Sequence, residues 1–126
     1  MKRVLVPFTD PDGAERAVRS LLQEPDAEPF EVELLAVVEP LDLSNVHIYL
    51  SPQRAEQSAR ATAAGWIARL APLLRAANVT YRSAIVIGRA PMEIEAALHR
   101  TDVDRVVLPA TAPRWSVTVP PVTVVA

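Results

Sequence analysis

Residues 3–22 read RVLVPFTDPDGAERAVRSLL, and this stretch decides the fold. Val4-Leu5-Val6-Pro7-Phe8 is an unbroken apolar run of β-favouring residues, the pattern of a strand covered on both faces. Asp10 then supplies an N-cap oxygen and Pro11 a first-turn proline. Beyond them Ala14, Ala17, Val18, Leu21 and Leu22 fall at i, i+3, i+4, i+7 and i+8, one stripe of a helix. A buried strand feeding an amphipathic helix opens a βα unit.

The same alternation continues along the chain. Phe30 to Val38 reads as a second strand with Leu34 to Val38 as its buried centre, ended by Glu39-Pro40. Leu41 to Leu50 has no clear period and reads as a loop over the carboxyl end of the sheet. Ser51-Pro52 repeats the cap-plus-proline signal before a long helix reaching about Ala77. Its stripe is Ala55, Ala59, Ala63, Trp66, Leu70, Leu73, Leu74 and Ala77, small enough for close approach to a sheet. Pro72 removes a donor and is expected to kink the last turns, and Asn78 reads as a left-handed cap. Val79 to Ile87 is a third strand, and Pro91 opens a short helix buried through Ile94, Ala97 and Leu98. Asp104 to Leu108 is a fourth strand and Val122 to Val125 a fifth. Strands alternating with helices in this way predict α/β architecture: a Rossmann-like open parallel sheet of about five strands flanked by helices, in a single domain over residues 1–126.

Composition narrows the functional classes. Half the residues are apolar, 22% are charged and the formal net charge is −2, the balance of a globular chain with no basic excess for nucleic acid. With no cysteine there is no disulfide framework, zinc knuckle or thiol nucleophile, and two histidines leave little for a metal. The run after Lys2-Arg3 is too short for a signal peptide, and no stretch approaches the roughly 20 apolar residues of a membrane span. The expectation is a cytoplasmic protein with no membrane or nucleic-acid partner.

Several motifs together resemble the universal stress protein family over essentially the whole chain. They are Arg3-Val4-Leu5-Val6-Pro7, Glu15-x-Ala17, the alanine-rich second helix, Val86-Ile87-Gly88-Arg89-Ala90-Pro91-x-x-Ile94, Asp104-Arg105-Val106-Val107-Leu108 and Pro121-Val122-Thr123-Val124-Val125. Order and spacing carry the resemblance, since none of these is specific alone. It implies a nucleotide-binding α/β fold whose last strand pairs across a two-fold axis.

The departures fall where the family binds ATP. Its nucleotide-binding members carry a glycine directly after the fourth strand, a second close behind, and a third followed by Ser or Thr. This chain has Pro109-Ala110-Thr111-Ala112 there and no glycine beyond Gly88. Glycine permits left-handed turns and close backbone approach to phosphate oxygens, whereas Pro109 and Pro113 have no N–H to donate. The family's aspartate at the end of the first strand falls on Thr9, so Asp10 reads as the helix cap and not as a nucleotide contact. Between Leu108 and Val122 too little chain remains for an ordinary crossover helix, and the phosphate loop reads as deleted. ATP is therefore not expected as a cofactor. The missing helix is expected to uncover part of one sheet face, with Trp115 as its plug.

The apolar tail is the other informative feature. An unpaired strand edge of valines invites another chain, so the reading is a homodimer joined by antiparallel pairing through Thr118, Val119, Val122, Thr123, Val124 and Val125. The bland alternative is an edge strand packed on its own sheet. No Ser, His and acid trio or glycine fingerprint marks an enzyme. His99 near a helix end reads as structural, and His47 as a solvated loop residue near the ligand crevice. The expected function is a small non-enzymatic, non-ATP-binding stress-response or regulatory protein acting through homodimerisation or an unidentified protein partner, with no catalytic or metal-binding residue. The alternative is a binding module for a nucleotide or other small ligand at the carboxyl ends of the first and fourth strands, through Thr9, Asp10, Val38, Gly88 and Thr111.

Overall fold

The structure is a computed structural model that describes residues 1–24, 28–39, 51–100 and 102–109, together with the backbone of 122–125. Its elements run β1 (Lys2–Phe8), α1 (Pro11–Leu22), β2 (Phe30–Val38), α2 (Pro52–Ala76), β3 (Tyr81–Ile87), α3 (Ala90–Arg100), β4 (Arg105–Pro109) and β5 (Val122–Val125). They form one five-stranded sheet in the order β3-β2-β1-β4-β5, with every pairing parallel. The α/β parallel sheet read from the sequence is the observed fold. The loop 41–50, including His47, and the segment 110–121, including Thr111, Trp115, Thr118 and Val119, lie outside the described residues.

Alternation along each strand divides the core into two layers. Val4, Val6 and Phe8 of β1 and Val32, Leu34, Ala36 and Val38 of β2 face α1 and α2, where they meet Ala14, Ala17, Val18, Leu21, Ala59, Ala63, Leu70 and Leu74. Leu5, Leu35, Val37, Val106 and Leu108 line the opposite face and pack with Ala90, Ile94 and Ala97 of α3. Leu5, Val106 and Leu108 on that face are buried, and Trp115, expected to plug it, lies outside the described residues. On β3, Ala84 to Ile87 are only half-buried.

Small residues set the depth of α2. Ala55 and Ala63 are fully buried and Ala59 nearly so, which seats the helix close to the strands while Trp66 packs near Phe8 with ring centroids 6.3 Å apart. Ala71, off the expected stripe, is buried as well, and Ala77 is exposed. The helix continues through Pro72 to Ala76. It ends as the sequence indicates: Asn78 has φ 57°, its N–H donates to Arg75 O at 3.1 Å, and Val79 N–H donates to Leu74 O at 2.9 Å. These two bonds satisfy carbonyls the last turn would otherwise leave open.

β5 is the fifth strand expected. The tail, judged too short to fold back through an ordinary crossover helix, lies parallel to β4 in the register Val106↔Val122, Val107↔Thr123, Leu108↔Val124 and Pro109↔Val125. A parallel crossover needs roughly a dozen residues, and residues 110–121 supply that length. One edge of β5 is therefore paired within the chain, and β5 forms an edge of the sheet.

Candidate functional site

In this strand order β2 and β4 flank β1 and the chain reverses direction of travel there, so the crevice for a ligand lies beyond the carboxyl ends of β1 and β4. Four of the five nominated residues stand along that edge of the sheet. Thr9 and Asp10 follow β1, Val38 ends β2, and Gly88 follows β3 with its N–H donated to Val38 O at 3.0 Å.

Each has a local role. Asp10 Oδ2 accepts the N–H of Gly13 at 2.7 Å, with Pro11 opening α1, which is the N-cap expected of it. Val38 is 4% exposed, so its side chain belongs to the core. Gly88 is already covered: a Cβ there would run into Oε1 of Glu93 and lie 3.0 Å from its Cδ and Cγ. The carboxylate of α3 folds back over the very glycine that was nominated for a ligand.

Two prolines that the sequence reading treated separately act together here. β1 pairs with β2 over seven residues, but with β4 only at Val4↔Arg105 and Leu5↔Val106. The direction of the backbone groups explains why. Lys2 N–H donates toward β2, to Pro29 O, and Arg3 O accepts from Asp104 N–H on the other side, so the odd-numbered residues of β1 face β4. With Leu5 opposite Val106, the next two ladder bonds would run from the N–H of residue 7 to the carbonyl of residue 107, and from the N–H of residue 109 to the carbonyl of residue 7. Both donors are prolines, Pro7 and Pro109. The ladder between β1 and β4 stops where the crevice begins. Pro109 is the last residue of β4 and buried, not the first residue of a loop.

Charge is organised at the opposite end of the sheet. Arg3 Nε lies 2.8 Å from Glu31 Oε1, and the Arg3 N–H donates to Asp104 Oδ2 at 2.8 Å. Arg105 holds Glu24 through both carboxylate oxygens, at 2.6 and 2.8 Å. Hydrogen bonding to these carboxylates raises the pKa of Arg3 and Arg105 and lowers that of Glu24, with partial burial opposing each shift. A depression of about 580 Å³ opens there beside Met1, Lys2, Glu28, Pro29 and Asp104, with Lys2 Nζ 3.4 Å from Glu28 Oε2. Among the described residues no cluster of His, Cys, Asp or Glu could hold a metal, and no helix is long and apolar enough to cross a membrane. His99 is exposed in the last turn of α3, 3.8 Å from Glu95.

An open parallel α/β sheet with its topological reversal at β1/β4 defines a Rossmann-like fold. Within that class the chain belongs to the universal stress protein family, whose sequence model matches residues 1–116. Solved structures agree on the fold. The hypothetical protein MJ0577 superposes with a TM-score of 0.77 at 18% identity, covering 98% of this chain and 94% of its own. The hypothetical protein PH0823 gives 0.75 at 22%, with 98% and 94% covered. A universal stress protein family protein of Arabidopsis thaliana, At3g01520, solved with AMP bound, gives 0.72 at 17%, with 99% and 91% covered. A sequence comparison with curated proteins finds no match.

Proposed function

We propose that this chain is a non-enzymatic member of the universal stress protein family that does not hold ATP and acts by association, as a homodimer through the outer edge of β5 or with a protein partner. The observation that carries the reading is Pro109, buried at the end of β4 where the family's nucleotide-binding members are expected to place a glycine. Phosphate recognition at a strand end depends on backbone N–H donors and close backbone approach, and this chain has no glycine beyond Gly88 and prolines at 109 and 113. Asp10, the nearest carboxylate after β1, is engaged as a helix cap. The non-enzymatic part of the reading rests on the sequence, which carries no glycine fingerprint or nucleophile elbow.

The second reading is a nucleotide-binding module at the same edge, favoured by the AMP held in the Arabidopsis relative and by the position of Thr9, Val38 and Gly88 at the carboxyl ends of neighbouring strands. Calorimetric titration with ATP and with AMP, with and without magnesium, separates the two, after the denatured protein has been checked for co-purified nucleotide. The expected result is no heat and no bound nucleotide. Binding tighter than about 10 µM, roughly −7 kcal/mol, establishes the second reading instead.

A further inference from the structure

The sheet has two edges, β3 and β5, and the hydrogen bonds of β3 show which of its backbone groups turn outward. Val32 N–H donates to Thr80 O, and Gly88 N–H donates to Val38 O, so the even-numbered residues of β3 face β2. The odd-numbered ones, Tyr81, Ser83, Ile85 and Ile87, turn their N–H and C=O groups outward, and among the described residues no strand pairs with them. Ile85 O, in the middle of that row, accepts a hydrogen bond from Arg60 Nη1 of α2 at 3.3 Å. Glu56, one turn earlier on the helix, holds the same guanidinium from the other side, with Nε to Oε1 at 3.3 Å.

We infer that Arg60 is an edge guard: its guanidinium, steered by Glu56, occupies the central outward acceptor of β3 and closes that edge to strand addition by a second copy of this chain. A strand adding to β3 needs the acceptors of alternate residues in register, and it must displace Arg60 to reach Ile85 O. It would also bring its backbone against a guanidinium with no acceptor function, which cannot substitute for the lost bond. β3 needs such a guard because its own residues offer little protection. Ile85, Val86 and Ile87 are apolar and only half-buried, and Arg82 is the strand's one charged side chain. The inference holds whether or not β5 pairs across a two-fold axis, because it concerns association added to the wild-type state.

The test compares sedimentation of wild type, R60M, R60K and the double variant R60M/S83P over rising protein concentration. Methionine keeps the aliphatic stem of Arg60 and removes its donors. R60M is expected to self-associate about tenfold more tightly than wild type, in species whose masses are multiples of the wild-type particle, while R60K retains most of the guard. Residue 83 turns its N–H outward, so proline there removes a donor from the free edge without touching the β2 ladder. R60M/S83P is therefore expected to return to the wild-type mass. E56A, which leaves Arg60 in place without its tether, gives a weaker shift in the same direction and reports on the guard if R60M fails to fold. Wild-type behaviour of both R60M and E56A, or association of R60M that survives S83P, overturns the inference. If wild type is itself monomeric, the β5 dimer fails while the guard is still read from R60M.

Discussion

Arg105 grips Glu24 with both arms of its guanidinium, Nη1 to Oε2 at 2.8 Å and Nη2 to Oε1 at 2.6 Å, and so ties the end of α1 to the first residue of β4 across 81 positions of sequence. Both side chains are about one-third exposed or less, 27% for Arg105 and 34% for Glu24, which places the pair between a surface bridge and a buried one. Bidentate geometry removes much of the orientational freedom that makes exposed ion pairs weak.

This clasp has a pH signature. The Arg105 hydrogen bonds hold the Glu24 carboxyl below the ordinary glutamate range, against a smaller opposing effect of burial. A depressed folded pKa means stability that is fully present above the unfolded value, about 4.3, and lost as pH falls through the folded value below it. E24Q is therefore expected to lower stability by about 1 kcal/mol at neutral pH and by less at acid pH. Urea unfolding of both proteins from pH 7 down to pH 3 checks it: curves that stay a constant distance apart would show that Glu24 ionisation contributes nothing.

The seating of α2 predicts a strong penalty for size. Ala63 is 0% exposed against the sheet, between Ala59 and Leu70 of the same buried set. A63L forces extra methylenes into that layer and is expected to cost about 1–3 kcal/mol. Ala64, exposed one position away, is the control, and A64L is expected to change the melting midpoint little. Equal effects at the two positions would mean that the helix is not held close to the sheet by its alanines.

Two caps give a paired prediction on backbone conformation. Asp10 satisfies the Gly13 N–H, so D10A is expected to cost about 1 kcal/mol. Asn78 occupies φ 57°, where glycine is unstrained and a β-branched residue is not. N78G is expected to hold or slightly raise the melting temperature and N78V to lower it, as differential scanning calorimetry would read. A tolerated N78V would remove the left-handed cap from the account.

These caps and stripes were legible in the sequence because each is written within a few residues. Asp10-Pro11, Ser51-Pro52, Asn78 and the alternation into continuous apolar runs each state a local geometry, and β2 and β5 fall at the expected boundaries. What was not legible involves partners far apart along the chain. Arg105 and Glu24, or Arg3 and Glu31, meet only after the sheet order is known. Pro109 was read as the first residue past β4, in the place of the family's glycine, yet it completes β4 here. Its significance appears only beside Pro7 of β1, since one missing donor is a local irregularity and two successive ones end a ladder. The chain-length rule spoke only against a helical crossover before β5, and it left open whether β5 pairs within the chain or with a second copy; the β4–β5 register decides the first of these.

The proposed dimer can be tested by two prolines placed one residue apart. In the β4–β5 register, Val106 turns its backbone groups to β5 and stands opposite Val122, so Thr123 and Val125 face β4 while Val122 and Val124 face outward. V124P removes an outward N–H and leaves the ladder to β4 intact, whereas T123P removes a donor to β4. If two copies join through this edge, V124P is expected to halve the particle mass in light scattering with little change in the thermal midpoint of the dilute monomer. T123P is expected to lower stability by about 1 kcal/mol or more, through a lost ladder bond, whatever the oligomeric state. A wild-type dimer that survives V124P would place the contact elsewhere on the surface. A monomeric wild type would leave β5 as an edge strand alone, and association would then have to come from a different protein.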